Sequence, residues 1–298
     1  MRALVTGGRG FVGTWLCEHL RAEGDEVVSV DHEVEITDPV AVREAVTASR
    51  PDLIYHLAAL THVGRSWSEP AEVFRVNALG TLNVLEAARA CAVFPRVLVT
   101  SSAEVYGSVG AEDLPVSEET PLAPVTPYGA SKVAAEFLAI QAHLGHALPV
   151  VRVRPFNHVG PGQGSGFVVA SLASHIVEAR SSGAKELPVG NLGARRDLTD
   201  VRDVVRAYRL LAETGVAGEV YNVCTGRDVS IEEVAHRLLE LADVELQLVV
   251  DPALARPVDV PVLRGDPGKL HAATGWLPKI GLDETLRDVL DHWSAKVA

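Results

Sequence analysis

Through its first half the chain alternates short apolar runs with longer stretches of helical period. The apolar runs are "RALVT" (2–6), "EVVSVD" (26–31), "LIYHLAA" (53–59), "RVLVTSS" (96–102) and "LPVVRVRPF" (148–156). They are continuous rather than alternating, as expected of strands buried on both faces of a parallel sheet. Helical period runs between them. One helix spans 11 to about 23 and is stopped by Gly24; another spans 38–49 with Asp38 as its cap. A long Ala/Leu-rich helix covers 72–91, and a further one covers 126–145, opened by Thr126-Pro127. Strands alternating with helices predict a doubly wound α/β fold built on a parallel sheet. After Gly160 the pattern loosens: glycine and proline multiply in "GPGQGSG", and the later elements are shorter and mixed. This predicts a dinucleotide-binding domain over 1–160. A smaller mixed α/β substrate lobe follows over 161–298, with some of its elements returning to the main sheet.

Composition narrows the chemistry. The chain has 298 residues, 47% of them hydrophobic, enough for a large core. A net charge of −12 argues against nucleic acid or anionic lipid as a partner held on a broad basic surface. An anionic ligand must instead be met locally, by a few arginines or helix N-termini. Three cysteines without CxxC spacing predict neither a disulfide nor a metal site and point to a reducing compartment. No apolar run approaches the roughly 20 residues a membrane span needs. Met1 leads straight into a strand with nothing like a signal peptide, so a cytoplasmic location is expected.

The first strand ends in "TGGRGFVG", with Gly7, Gly10 and Gly13 in G-x-x-G-x-x-G spacing between a strand and an amphipathic helix. Glycine there allows a tight turn, close approach of backbone to a pyrophosphate, and close helix–strand packing; the helix N-terminus then faces the phosphates. Asp31 ends the second strand, where an acid accepts hydrogen bonds from both adenosine ribose hydroxyls and repels a 2′-phosphate. NAD(H) is therefore favoured, while Arg9 and His32 leave NADP(H) open.

Tyr128 and Lys132 lie one helical turn apart near the start of the 126–145 helix. A free phenol, with pKa of about 10, is a poor acid–base catalyst at neutral pH. A neighbouring ammonium and a positive nicotinamide ring both favour phenolate, so the pair predicts a lowered phenol pKa and proton exchange with a substrate oxygen as hydride moves. The end of the fourth strand supplies a hydroxyl to hold that oxygen, Ser102 first and Ser101 as the alternative.

The glycine pattern, "HLAA" at 56–59, "VNALGT" around Asn77, the Ser102/Tyr128/Lys132 set and "RPFN" at 154–157 together resemble the extended short-chain dehydrogenase/reductases, in the branch of NAD-dependent sugar-nucleotide epimerases and dehydratases. The resemblance runs in order over essentially the full chain and implies a Rossmann fold. It implies a cofactor site built from Gly7, Gly10, Phe11, Val12, Asp31, Leu57, Ala58, Ala59, Asn77, Tyr128 and Lys132. It also implies a nucleoside-diphosphate sugar as substrate, reacting at C4, and a homodimer formed by pairing the 72–91 and 126–145 helices across a twofold axis into a four-helix bundle. The family's arginine motifs map onto "GARRDLTDVRDVVRAY" and "RPVDVPVL". They point to Arg196 and Arg256 as diphosphate ligands, with Asp259 as a ribose or orienting partner; Arg195 and Arg202 stay open as alternatives to Arg196. Asn157 is expected at the pyrophosphate or sugar, and His158 is taken as a packed residue outside the chemistry.

The wording of the second half looks most like the reductases of GDP-4-keto-6-deoxy-D-mannose and next like the GDP-mannose 4,6-dehydratases. A dehydratase needs a carboxylate base after the hydroxyl residue. Glu104 stands at that place in Ser102-Ala103-Glu104, either as base or as a loop-capping acid. Three activities follow. The first is reduction of a C4 ketone with Tyr128 as proton donor; next come redox-neutral 4-epimerisation and dehydration through Glu104. A cofactor-holding sensor is disfavoured because it would not need Ser102, Tyr128 and Lys132.

Overall fold

The computed structural model describes every residue except 255–257, 259 and 298. Arg256 and Asp259 therefore lie outside the described residues.

Six parallel strands form the main sheet in the order β2-β1-β3-β4-β5-β9. These are β1 (Arg2–Thr6), β2 (Glu26–Val30), β3 (Leu53–His56), β4 (Arg96–Thr100), β5 (Val150–Pro155) and β9 (Val220–Val223). Every residue of β3, β5 and β9 is buried, although β5 alternates and turns Arg152 and Arg154 to one face, toward Glu136. Helices α1 (Phe11–Ala22) and α8 (Val201–Thr214) cover one face, packing Leu16, Leu20, Val204 and Leu211 against the strands. The other face is covered by α2 (Pro39–Ser49), α5 (Gly80–Arg89) and α6 (Pro127–His146). Burying a large aliphatic side chain on either face contributes roughly 1.5–3 kcal/mol.

Local sequence signals set the ends of these helices. Asp38 caps α2, its carboxylate accepting from the amides of Val40 at 2.8 Å and Ala41 at 3.4 Å. Thr126 caps α6 through the Gly129 amide at 3.0 Å, with Pro127 at the first helical position. The predicted 72–91 helix proves to be composite. It begins as α4 (Pro70–Phe74), passes through one stretch of π-helix (Arg75–Leu79) and continues as α5. A short helix, α3 (Val63–Ser66), precedes it.

Beyond β6 (Asn157–Val159) the remaining elements are α7 (Val168–Ser182), β7 (Glu186–Val189), β8 (Arg195–Asp200), β10 (Asp228–Ser230), α9 (Ile231–Ala242), β11 (Gln247–Val250), β12 (Val262–Leu263), α10 (Gly268–Thr274) and α11 (Leu282–Val297). β8 is the centre of a small mixed sheet, antiparallel to β10 and parallel to β6 and β12. β7 and β11 pair separately. A second core made by α7, α9 and α11 packs beneath these strands around Ile176, Val234, Leu238 and Leu286. Two elements from this half, α8 and β9, sit on the main sheet. No described helix is long and apolar enough to cross a membrane, and no group of residues among those described could hold a metal ion.

Candidate active site

The C-terminal ends of the parallel strands open into one cavity of about 1040 Å³. Loops following β1, β2, β3, β4 and β5 all reach it, as expected for the carboxyl edge of a doubly wound sheet.

At the β1 end the backbone is built for close approach. Gly7 has φ +69°, and a Cβ there would meet Ala58 backbone atoms at 2.9 Å. At Gly13 a Cβ would lie 2.1 Å from the Gly7 carbonyl oxygen, so α1 sits against the loop with no room for a side chain. Gly10 begins α1 and no side chain caps it. The first-turn amides, carried by Phe11 and Val12 among others, are thus left for an anion at the cavity wall. Asp31 follows β2, with Oδ2 accepting from the Arg9 amide at 2.8 Å. The Arg9 guanidinium is engaged with the Glu33 carboxylate. Leu57, Ala58 and Ala59 line the cavity after β3.

Further in, three buried polar atoms have no hydrogen-bond partner of good geometry, Thr100 Oγ1, His158 Nδ1 and Tyr208 Oη, the two hydroxyls having only each other nearby. All three residues line the cavity. Orphaned buried polar atoms are costly, and a bound polar ring system would satisfy them. The uncapped helix start, the glycine cradle and these orphans together fit a dinucleotide running from Asp31 to the end of β4.

Asn77 is placed differently from its expected cofactor contact. It lies in the π stretch, is almost wholly buried, and does not line the cavity. Its amide nitrogen donates to Leu60 O at 3.1 Å and Ser131 Oγ at 2.9 Å, and its oxygen accepts from the Leu60 amide at 2.8 Å. It ties the loop after β3 to α6.

Ser102, Glu104, Tyr128 and Lys132 all face the cavity. Ser102 ends an extended segment and its hydroxyl accepts from the Glu104 amide at 3.2 Å. The Tyr128 side chain hydrogen-bonds with that of Ser102. Gly129 holds this arrangement together: a Cβ there would be 2.7 Å from the Glu104 carbonyl oxygen, so α6 docks directly onto the Ser102–Glu104 turn. The Lys132 ammonium donates to the Thr100 carbonyl at 2.8 Å. Burial pulls its pKa down to about 8, against the opposing pull of Glu136. The predicted lowering of the phenol pKa is not found in the protein alone. Burial pushes the Tyr128 phenol up, the Glu104 charge adds to this, and only the Ser102 hydrogen bond opposes it. A desolvated phenol with its ammonium partner turned to a carbonyl stays protonated. Ser101 points elsewhere, donating to Glu136.

The substrate side of the cavity carries Asn157 and Arg196. Strand alternation separates the two adjacent arginines. Arg196 is buried toward the cavity, its guanidinium donating to Val260 O at 2.7 Å. Arg195 faces outward to Asp228 and Glu233. Arg202 is held by Asp200 at 2.8 Å and Asp288 at 2.7 Å. Neither Arg195 nor Arg202 lines the cavity. His158 stacks on Phe11 with ring centroids 6.1 Å apart, and burial lowers its pKa to about 4, so it is neutral. The sequence reading did not single out His62, Gln163, Phe167 or Tyr208, which also line the cavity. They come from loops and from α8, and no periodicity or spacing marks them.

A family model described as GDP-mannose 4,6 dehydratase matches residues 30–289. The chain is 39% identical to the GDP-6-deoxy-D-mannose reductase of Pseudomonas aeruginosa, over 99% of this chain and 98% of that protein. The structure of RMD from Pseudomonas aeruginosa complexed with NADPH superposes with a TM-score of 0.92 at 38% identity, covering 99% of this chain and all of that one. The Thermus thermophilus UDP-glucose 4-epimerase complexed with NAD gives a TM-score of 0.88 at 34% identity, covering 98% of this chain and 99% of that one. With the glycine cradle, the Tyr128–Ser102 contact and these full-length likenesses together, the chain belongs to the extended short-chain dehydrogenase/reductases, within the GDP-mannose 4,6 dehydratase family of nucleotide-sugar enzymes.

Proposed function

We propose that this enzyme reduces the C4 ketone of a nucleoside-diphosphate 4-keto-6-deoxy sugar, GDP-4-keto-6-deoxy-D-mannose being the first candidate. The observation that carries the reading is the Tyr128 phenol, protonated by burial and hydrogen-bonded to Ser102 inside a cavity large enough for cofactor and sugar nucleotide. Full-length similarity to a GDP-6-deoxy-D-mannose reductase supports the substrate class. The reduced nicotinamide, when bound, supplies the hydride. Ser102 holds the ketone oxygen by donating a hydrogen bond, and Tyr128 delivers the proton that this oxygen takes up on becoming a hydroxyl. The Lys132 charge stabilises the phenolate left behind. Arg196 and Arg256 neutralise the diphosphate, with Asn157 and Asp259 orienting the sugar nucleotide.

The cofactor ring system sits along Gly7–Val12, Asp31 and 57–59, with Asn77 acting through Leu60. NADH is the favoured form. Asp31 occupies the ribose position, and Glu33 already neutralises Arg9, the cation best placed for a 2′-phosphate. The NADPH in the Pseudomonas neighbour makes NADPH the competing form. A cytoplasmic homodimer is part of the same reading. Phe137 and Leu144 on α6 are 59% and 77% exposed, and Phe74 and Leu79 beside α5 are also exposed, an apolar face suited to a second copy.

Dehydration is the second reading, favoured by the presence of Glu104 in the cavity wall. One set of incubations separates them: GDP-4-keto-6-deoxymannose with NADH or NADPH, and GDP-mannose or UDP-sugars with NAD. Stoichiometric cofactor oxidation with the keto sugar is expected. Isomer formation without net cofactor change would replace the reading by epimerisation, and a keto product from GDP-mannose would replace it by dehydration.

A further inference from the structure

One titratable group next to the site has no part in the chemistry above. Glu136 lies one helical turn beyond Lys132 on α6 and is fully buried. Arg154 on β5 grips its carboxylate with two bonds of 2.9 Å, Arg152 approaches at 3.5 Å, and the Ser101 hydroxyl donates to it. Arg154 is tied onward to Tyr106 Oη at 3.0 Å, and Tyr106 to Asn222 at 2.6 Å. A buried carboxylate with this many donors is fixed in place.

We infer that Glu136 is a positioning residue for the reductase: its buried charge keeps Lys132 protonated and moors the strand end that carries Ser102. Three cations, Lys132, Arg152 and Arg154, share this patch with a single buried anion. Without that anion, Lys132 loses the one neighbouring charge that holds its pKa up against burial. Other groups facing Lys132 cannot substitute for it. His56 on β3 is neutral, its pKa lowered to about 3 by burial and by Lys132 itself. Tyr128 is protonated, and Thr100 offers only a carbonyl. Glu104 acts on Tyr128, and its charge is not among those acting on Lys132. The charges on α3, α4 and α5 are spent at the surface, in pairs such as Arg65–Glu69, Arg75–Glu72 and Arg89–Glu86. Ser101 links the same carboxylate to the residue preceding Ser102, so one group sets both the charge of Lys132 and the position of the hydroxyl.

The inference rests on the proposed Tyr128–Lys132 chemistry, and its test has an arm independent of turnover. Lysine labelled with ¹³C at the ε-carbon is titrated by NMR in the full-length protein, with Lys132→Met identifying the resonance, and kcat is measured against pH in parallel with the keto sugar. Glu136→Gln should move the Lys132 midpoint down by about one to two units. The alkaline limb of kcat should follow, giving roughly a tenfold loss at pH 7.5 that shrinks to less than about twofold at pH 6. Arg152→Gln removes a cation and should move the midpoint upward. Glu136→Asp keeps the charge and should hold the wild-type midpoint whatever it costs in stability. If Glu136→Gln fails to fold, the Arg152 and Asp variants still decide. A midpoint unmoved in Arg152→Gln, or equal in Glu136→Gln and wild type, overturns the inference. Absence of turnover in the wild type, with the NMR shifts as expected, would instead count against the reductase reading alone.

Discussion

Lys132 stands one helical turn from Tyr128, yet its ammonium donates to the Thr100 carbonyl at 2.8 Å. The lysine's hydrogen bond is therefore spent on the end of β4 rather than on the phenol. Burial keeps the phenol protonated. This suits an enzyme whose chemical task is to give a proton away.

Replacing Tyr128 by Phe removes that proton and should lower kcat by about 10²–10⁴-fold. Cofactor affinity should change by less than about threefold, because the cradle of Gly7–Val12 and Asp31 is untouched. Nicotinamide absorbance and a fluorescence binding titration measure the two quantities. Near-normal turnover would remove Tyr128 from the role of acid.

Gly13 and Gly10 should respond oppositely to alanine. At Gly13 the added Cβ meets backbone at 2.1 and 2.7 Å, so the variant should lose about 1–3 kcal/mol of stability. At Gly10 the nearest atom is 3.2 Å away, and the residue lines the cavity, where an added methyl group competes with a bound cofactor for space. Gly10→Ala should stay folded and bind NADH or NADPH more weakly. Thermal melts with and without cofactor distinguish an effect on the apoprotein from one on binding.

His56 makes the fold acid-sensitive. It bridges Thr6 Oγ1 at 2.8 Å and Thr81 Oγ1 at 3.0 Å, and burial lowers its pKa from 6.5 to about 3. Below pH 6.5 the unfolded chain takes up a proton that the folded chain refuses, so stability falls as pH drops from 6.5 toward 3. The slope from this group is about 1.4 kcal/mol per pH unit, or roughly 2 kcal/mol between pH 6.5 and 5. Urea unfolding at the two pH values should show a shallower loss for His56→Gln than for wild type. Equal losses would assign the proton uptake to other histidines.

Phe137→Glu puts a charge on the exposed apolar face of α6. Light scattering behind a sizing column should show the variant as monomer at concentrations where the wild type is a dimer. A wild type that is monomeric throughout would leave this face without the proposed partner.

Much of the fold was legible because its signals are local. Asp38 and Thr126 are caps wherever helices begin, and fully buried strands such as β3 read as short, mostly apolar runs. The glycine cradle was legible for the same reason. Other features depend on distant partners. The π stretch exists because Asn77 must meet both Leu60 and Ser131, which no window of sequence contains. The choice of Arg196 over Arg195 required the facing of β8, which residue alternation alone leaves two-fold ambiguous. The phenol pKa of the protein alone is set by burial, and the direction of the Lys132 side chain depends on Thr100, on another element, neither of which the 128/132 spacing contains. Glu136 went unremarked although its spacing after Tyr128 and Lys132 is regular; its significance lies in arginines on β5.

The π stretch at Arg75–Leu79 has a consequence for how this segment tolerates change. It accommodates one residue more than a regular helix would over the same hydrogen-bond ladder. Deleting a single residue there would let the helix close into uniform α geometry while the flanking turns keep their faces. The segment would gain regularity and lose its knot with the loop after β3, so length here is constrained as tightly as residue identity.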